Sequence, residues 1–366
     1  MVYRAIGLMS GSSLDGLDIA FVEFQEQAGK WAYEILETAC YPYSEEWGAK
    51  LKKAIHLSAR DYQLLHAEYG HYTGQLVNHF IEDHQLQYKV AVIASHGHTT
   101  FHMPARKMTA QLGDGAAIAA ETRLPVVSDL RVLDVAFGGQ GAPIVPIGEK
   151  LLMNEYNYFL NLGGIANISV NTANYTAFDI CPANRVLNML ANELGKEFDE
   201  DGIISASGTL NDALLEELNA LDYYQQPYPK SLANDFGTDI VYPILKKTGT
   251  GLQDALRTYV EHVVLQTSRA IETFRNDGNA EILNPKLLAT GGGALNSFLI
   301  SRLREVLSEQ GIELIVPDKK LVNFKEALIM AFIGVLRWRQ EYNVLSSVTG
   351  ASRDSIGGAL WTGQEA

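Results

Sequence analysis

Ala5-Ile6-Gly7-Leu8-Met9-Ser10-Gly11-Ser12-Ser13-Leu14-Asp15-Gly16-Leu17-Asp18-Ile19-Ala20 reads as an apolar strand, a tight polar turn and a second apolar strand. Phe159-Leu160-Asn161-Leu162-Gly163-Gly164-Ile165-Ala166-Asn167-Ile168-Ser169-Val170 repeats the pattern in the second half of the chain. Gly, Ser and Asn at the tips leave backbone N–H groups with little side-chain cover, which suits such turns to an oxyanion. One hairpin would be only a connection. Two, from two halves of one chain, predict grips on a polyphosphate from opposite sides, and so a nucleotide. Neither is a Walker A loop, because no Gly-Lys-Ser/Thr ending follows, and neither is a Gly-x-Gly-x-x-Gly run with a helix directly behind it.

Outward from the first hairpin, a strand over 31–38 leads to a helical region over 45–85. Lys89-Val90-Ala91-Val92-Ile93-Ala94-Ser95-His96-Gly97 reads as a buried strand ending in a polar loop; a small-residue helix over 115–122 and a strand over 124–129 follow. The second hairpin is followed by a strand over 175–178, a helix over 184–194, a loop region rich in Tyr and Pro, and a long helix over about 251–276. A strand over 286–290 then runs into Gly291-Gly292-Gly293. The βαβ texture predicts a largely parallel sheet covered on both faces. At roughly 150 residues per domain, 366 residues make about two domains. We place them at 1–140 plus 350–366 and at 141–349, as a distant duplication around a cleft with no Gly/Ser linker.

A hydrophobic fraction of 47% and a charged fraction of 20% are those of an ordinary globular protein. The net charge of −14 argues against nucleic-acid and anionic-membrane partners, which need a basic surface for counterion release. Cys40 and Cys181 are the only cysteines, giving no disulfide framework and an expected reducing compartment. No basic leader and no run of ~18 apolar residues is present, so a cytoplasmic location is expected.

Several side chains stand out as candidates. Ser12 or Ser13 can donate to a phosphate, and Asp15 or Asp18 can orient Mg²⁺ or its waters; alternatively this stretch is a hairpin turn closed by its own Asp. Asp179 follows the 175–178 strand, where it is either a catalytic carboxylate or, ahead of Pro182 and a helix, an N-cap. Arg131 can pair bidentately with a carboxylate or form a surface salt bridge with Asp129 or Asp134. His96, His98 and His102 read as hydrogen-bonding or core residues and not as metal ligands, because no Cys or acidic partner is close in sequence; no metal site is assigned to protein ligands alone. His56, His66, His71, His79 and His84 read as the solvated face of the helical region.

Gly7 to Asp18, Ser95-His96-Gly97-His98-Thr99, Gln111-Leu112-Gly113-Asp114-Gly115, Gly138-Gly139-Gln140-Gly141-Ala142-Pro143, Phe178-Asp179, Gly291 to Asn296, Lys325-Glu326-Ala327 and Thr349-Gly350-Ala351 together resemble the anhydro-N-acetylmuramic acid kinase family, in order along almost the whole chain. The resemblance implies the two-domain actin-like ATPase fold, with duplicated ribonuclease H-like mixed sheets and flanking helices. It implies ATP-dependent opening and phosphorylation of 1,6-anhydro-N-acetylmuramic acid to N-acetylmuramic acid 6-phosphate in peptidoglycan recycling. It implies ATP and Mg²⁺ as cofactors, an amino sugar as the small-molecule substrate, and a homodimer. Asp179 is then the base. Gly11, Ser12, Ser13, Leu14, Asp15, Gly16, Leu17, Asp18, Gly163, Gly164 and Asn167 face the phosphates, and Gly291, Gly292, Gly293 and Asn296 the ribose or adenine. Ser95, His96, Thr99, Asp129 and Arg131 from the first domain, with Glu326 from the second, hold the sugar.

The chain departs from the family pattern after Asp179. Ile180-Cys181-Pro182-Ala183-Asn184 stands where Thr-Gly-Pro-Gly-Asn is usual, Asn188 replaces a later Asp, and Leu232-Ala233-Asn234-Asp235 stands for Thr-Gly-Arg-Glu. Two glycines thus become residues whose Cβ can block backbone approach to a phosphate. The alternatives this leaves are a kinase for another amino sugar, a nucleotide-dependent sugar-binding protein impaired in catalysis, and an actin-like filament ATPase.

Overall fold

Two sheets share one strand order. The computed structural model describes residues 1–11, 14–172, 175–233, 235–247, 249–277 and 282–363, and divides into a unit of Met1–Met153 with Phe324–Ala366 and a unit of Asn154–Asn323. In the first unit β1 (Val2–Ser10), β2 (Gly16–Gln27), β3 (Lys30–Pro42), β4 (Val92–Ser95), β5 (His98–Met103), β6 (Met108–Leu112) and β7 (Val126–Ser128) are joined late in the chain by an edge strand. In the second lie β8 (Tyr158–Leu162), β9 (Ile165–Val170), β10 (Thr176–Pro182), β11 (Lys286–Thr290) and β12 (Glu313–Ile315). The edge strand of the first sheet is β13 (Ala359–Trp361). The sheets run β13-β7-β4-β1-β2-β3 and β10-β9-β8-β11-β12. Without β13, each reads third, second, first, fourth, fifth: the ribonuclease H-like order, twice.

Both sheets are mixed, where the βαβ texture predicts a largely parallel arrangement. The first three strands of each are antiparallel because two short connections join them, and the next two run parallel to the first. A parallel strand needs a long crossover, which helices supply. β5 and β6 form a separate two-stranded sheet that the sequence reading missed, since their His, Thr and Gln content hides the strand pattern.

Helices form where caps and apolar spacing coincide. The expected helix over 45–85 is broken into Glu45–Lys53, a 3₁₀ turn at Ala54–His56 and Ala59–Asp83. Ser58 restarts it, its side chain accepting from the Asp61 N–H and satisfying one of the orphan donors of the first turn. Leu65, Tyr69, Thr73, Val77 and Phe80 then make the buried stripe. His56, His71 and His79 are exposed, while His66 and His84 are half-buried, and His66 Nδ1 accepts from the Gly113 N–H at 3.2 Å. In the second unit the helix Leu252–Asn276 carries Leu256, Tyr259, Val260, Val263 and Ile271 into one core with Leu160, Ile168, Phe178 and Leu287. Among the described residues no helix is long and apolar enough to cross a membrane.

The units change over at 153/154 and 323/324, against expected seams at 140/141 and 349/350. The helix Pro146–Leu152 and most of the helix Lys319–Trp338 go with the first unit. A buried ion pair between them, Lys325 Nζ to Glu149 Oε1 at 2.9 Å, ties the one to the other. Glu326, expected from the second domain, therefore belongs to the first unit.

The Lys319–Trp338 helix lies backbone against backbone on β1 and β4. A Cβ at Gly7 would sit 1.8 Å from the Ala327 carbonyl oxygen and 2.5 Å from the Ala331 nitrogen, and one at Gly334 would sit 2.6 Å from the Ala94 Cβ. Neither backbone can yield without moving the sheet. Gly7→Ala is expected to lower unfolding stability by about 3 kcal/mol in urea melts, whereas Gly48→Ala, in a helix with nothing within 4 Å, gains up to about 1 kcal/mol.

Candidate active site

In the second unit, pairing across three strands lines up a polar row. Asn161 on β8 opposes Asn167 on β9, and Asn167 opposes Asp179 on β10. Directly paired residues share a face, so the three half-buried side chains stand together just behind the Gly163-Gly164 turn. Leu160, Ile168 and Phe178, one residue away on each strand, face the core.

Asp179 lies inside β10 and not at a helix start. Ala183 is the N-cap of Asn184–Glu193, with no side-chain cap bond, which removes the capping alternative. A register shift between Asp179 and Cys181 marks a bulge of the kind that re-aims a side chain at a sheet edge. Three groups remote in sequence clamp the residue. Its N–H donates to the Lys230 carbonyl at 3.0 Å, its carbonyl accepts from Tyr223 Oη at 2.7 Å, and Oδ2 accepts from the Leu232 N–H at 2.8 Å. Oδ1 has no protein partner among the described residues. Burial raises the carboxyl pKa, with the Leu232 N–H opposing. The result is a held carboxylate with one free oxygen and enhanced basicity. The link of Tyr223, Lys230 and Leu232 to Asp179 was not visible in the sequence, because no local spacing joins them.

The two side chains that replace family glycines point inward. Cys181 and Ala183 are fully buried and Ile180 nearly so, all three in the core of the unit, so their Cβ atoms do not face a ligand. Gly163 and Gly164 are open: the nearest atoms to an added Cβ lie at 3.4 Å and 3.9 Å. Packing does not demand glycine there, and the turn leaves its backbone uncovered. Their carbonyls accept from the N–H groups of Asn184 and Ala183, which fixes the turn. Gly291 (φ +80°) and Gly293 do answer to packing, since a Cβ would meet Asn161 Oδ1 at 2.6 Å and Leu162 Cβ at 2.8 Å. Asn184 Nδ2 donates to the Leu162 carbonyl at 2.8 Å. Gly292, Gly293 and Asn296 line a cavity of about 650 Å³ with Asn184, Asn188 and Lys319. The Asn296 oxygen itself is spent capping Ser297–Glu309 through the Leu299 N–H.

In the first unit, Gly11, Leu14, His96, Thr99 and Arg131 come together around a cavity of about 390 Å³. Ser95 is buried at the end of β4. Asp129, in the left-handed region at φ +56°, accepts from Ser128 Oγ at 2.7 Å; neither it nor Ser95 lines that cavity. Arg131 forms no salt bridge with Asp129 or Asp134. Its Nε donates to His96 Nε2 at 2.8 Å and its Nη1 to the Gly141 carbonyl at 2.6 Å. Asp134 is turned instead to the Gly141 N–H at 2.8 Å and Thr349 Oγ1 at 2.7 Å, bracing the glycine-rich 138–143 loop. Because His96 Nε2 accepts from Arg131, its proton sits on Nδ1, which donates to the Gly97 carbonyl at 2.8 Å. Burial first, then the Arg131 charge, pushes the ring down to about 3, so it stays neutral. Burial lowers Arg131 to about 10, with Glu326 and Asp134 opposing. A charged guanidinium is thus fixed along one edge, with no carboxylate in ion-pair distance among the described residues.

Asp18 is the third residue of β2, as Asn167 is of β9, and each pairs with the penultimate residue of the preceding strand. Burial raises the Asp18 carboxyl to about 6; a hydrogen bond from Cys40 opposes this, and Asp15 and Glu326 add to it. Burial and Asp18 push the Cys40 thiol up to about 12. Gly16 and Leu17 serve the sheet: a Cβ on Gly16 would meet the Tyr41 carbonyl at 2.6 Å, and Leu17 is a core residue. Ser12 and Ser13 lie outside the described residues. Among those described, no three His, Cys, Asp or Glu side chains group as metal ligands.

A profile of the anhydro-N-acetylmuramic acid kinase family matches residues 3–363. A curated protein of that name from Vibrio vulnificus (strain CMCP6) is 32% identical over 373 residues, covering 98% of each chain. Another from Hydrogenovibrio crunogenus (strain DSM 25203 / XCL-2) is 33% identical over 379 residues, covering 97% of each. Among solved structures, the activator of the 2-hydroxyisocaproyl-CoA dehydratase from Clostridium difficile with bound ADPNP is 13% identical at a TM-score of 0.45, covering 92% of this chain and 96% of its own. With full-length coverage at this identity and a family match over nearly every residue, the chain belongs to the anhydro-N-acetylmuramic acid kinase family.

Proposed function

We propose that this protein uses ATP and water to convert 1,6-anhydro-N-acetylmuramic acid into N-acetylmuramic acid 6-phosphate and ADP, a step in peptidoglycan recycling. The observation that carries the muramic assignment is Arg131, charged, held at Nε and Nη1, and lining a cavity with no carboxylate in ion-pair distance among the described residues. An anionic sugar substituent, the lactyl carboxylate, completes it.

In this reading the Asp179 carboxylate accepts a proton from water as the water oxygen bonds to the anomeric carbon. The bond from that carbon to O6 breaks, and O6 attacks the γ-phosphorus while ADP departs. Asp179 suits the role through its free Oδ1, its raised pKa and its fixed backbone. The open Gly163-Gly164 turn suits a phosphate, and the 650 Å³ cavity suits the nucleoside. Asp18 and Asp15 fit Mg²⁺, which binds one or two carboxylates together with substrate phosphates and not an all-protein cage; Asp18, raised by burial and like charge, gains from a nearby cation. When bound, Mg²⁺ would neutralise phosphate charge. A homodimer is proposed on the family likeness, and a cytoplasmic location on the cysteine content and the requirement for ATP.

Incubation with Mg·ATP and 1,6-anhydro-N-acetylmuramic acid is expected to yield a product heavier by water and one phosphoryl group in mass spectrometry. With 1,6-anhydro-N-acetylglucosamine, which lacks the lactyl group, kcat/KM should fall ~10²-fold, because Arg131 is left unpaired. Equal kcat/KM for the two sugars would shift the assignment to a broader amino-sugar kinase.

Asp18 also sets a pH dependence. Its proton is lost as pH rises through about 6, so affinity for Mg·ATP is expected to be weak below that pH and to strengthen above it. In steady-state kinetics from pH 5 to 8, KM for Mg·ATP should fall across this window, and Asp18→Asn should remove the step.

A further inference from the structure

The sugar-side cavity contains a second histidine that the mechanism above leaves unused. His98 begins β5, is 7% exposed and lines the cavity beside Arg131. Behind it runs a chain of hydrogen bonds from β1, the helix Ala59–Asp83 and the loop after β3. Tyr43 Oη donates to Ser10 Oγ at 2.8 Å. With its single proton committed there, its oxygen accepts from Tyr69 Oη at 2.6 Å. Ser10 Oγ in turn lies 3.1 Å from His98 Nδ1. Tyr69 is fully buried within its helix, so the far end of the chain is anchored.

We infer that this relay fixes His98 as an Nε2–H donor to an uncharged acceptor oxygen of the sugar, and so makes His98 a further substrate-binding and specificity residue. The argument follows the protons. Ser10 accepts from Tyr43, which leaves its own hydroxyl proton available to His98 Nδ1, and a neutral ring that accepts at Nδ1 carries its hydrogen on Nε2. Burial keeps the ring neutral by lowering its pKa. Nε2 has no protein partner among the described residues, although the side chain is more than nine-tenths buried. His96 shows the opposite arrangement two residues earlier, with Nδ1–H on a carbonyl and Nε2 accepting from Arg131. One histidine thus orients the guanidinium for a carboxylate, and the other offers a neutral donor beside it. The strongest uncharged acceptor on an N-acetylated sugar is its acetamido carbonyl, which is the group we assign to His98. Sequential hydrogen bonds of this kind polarise one another, so the terminal N–H is a better donor than an isolated one.

The inference rests on the proposed sugar substrate, but its first test does not. Nitrogen-15 NMR of the ligand-free protein is expected to show His98 as the Nε2–H tautomer, and Tyr43→Phe to mix the two tautomers. Kinetically, His98→Ala should raise KM for the anhydro sugar about tenfold while kcat and KM for ATP hold. His98→Gln, whose amide Nε2 also donates, should recover most of that loss. An Nδ1–H ring in the unmodified protein would overturn the inference, as would an unchanged sugar KM in His98→Ala. If the protein phosphorylates no anhydro sugar at all, the proposed function fails, while the relay still stands or falls on the spectrum.

Discussion

The antiparallel pairing of the first three strands in each sheet is the constraint on which the rest depends. It puts a hairpin turn at the same edge of each sheet and sets the third residue of the second strand, Asp18 or Asn167, beside the turn. In the second sheet it extends one strand further and brings Asp179 alongside Asn167. A slip of one residue in this register would send Asp179 into the core and bring Phe178 or Ile180 out. The apolar residues that hold the register, Leu160, Ile168 and Phe178 against the helix Leu252–Asn276, therefore also hold the polar row.

The two units divide their electrostatics differently. The second sets no cation of the described residues against Asp179 and lets burial raise its pKa, a setting for a proton acceptor. The first leaves Arg131 with no carboxylate in ion-pair distance among the described residues, though Glu326 and Asp134 act on it from further off, spending Asp134 on the 138–143 loop and neutral His96 on the guanidinium edge. An Arg whose rear contacts are a carbonyl and an uncharged imidazole retains its charge for a ligand. A salt bridge in the same place would have satisfied it.

The hairpins were legible in the sequence because their signals are local: apolar runs of strand length broken by Gly, Ser and Asn. The helix Gly115–Thr122 and the strand Lys286–Thr290 were legible for the same reason, and both match their expected bounds. The clamp on Asp179 was not, because Tyr223, Lys230 and Leu232 reach it from 44 to 53 positions away. Nor could the sequence tell that Ile180, Cys181 and Ala183 turn inward, since that follows from packing around the bulge at Asp179. The break at Ser58 was hidden in a polar stretch where a cap and an exposed helical serine look alike. Arg131 was identified, but its choice of His96 over Asp129 and Asp134 depends on the fold of the glycine-rich loop.

The central claim is that Asp179 takes the proton from the attacking water. The measurement that tests it most directly is the rate of product formation by Asp179→Asn beside the unmodified protein, with nucleotide binding and melting temperature recorded on both. The account predicts a fall in kcat of ~10²–10⁴-fold with nucleotide affinity and fold retained. A variant that keeps kcat within a few-fold of the unmodified protein would contradict it.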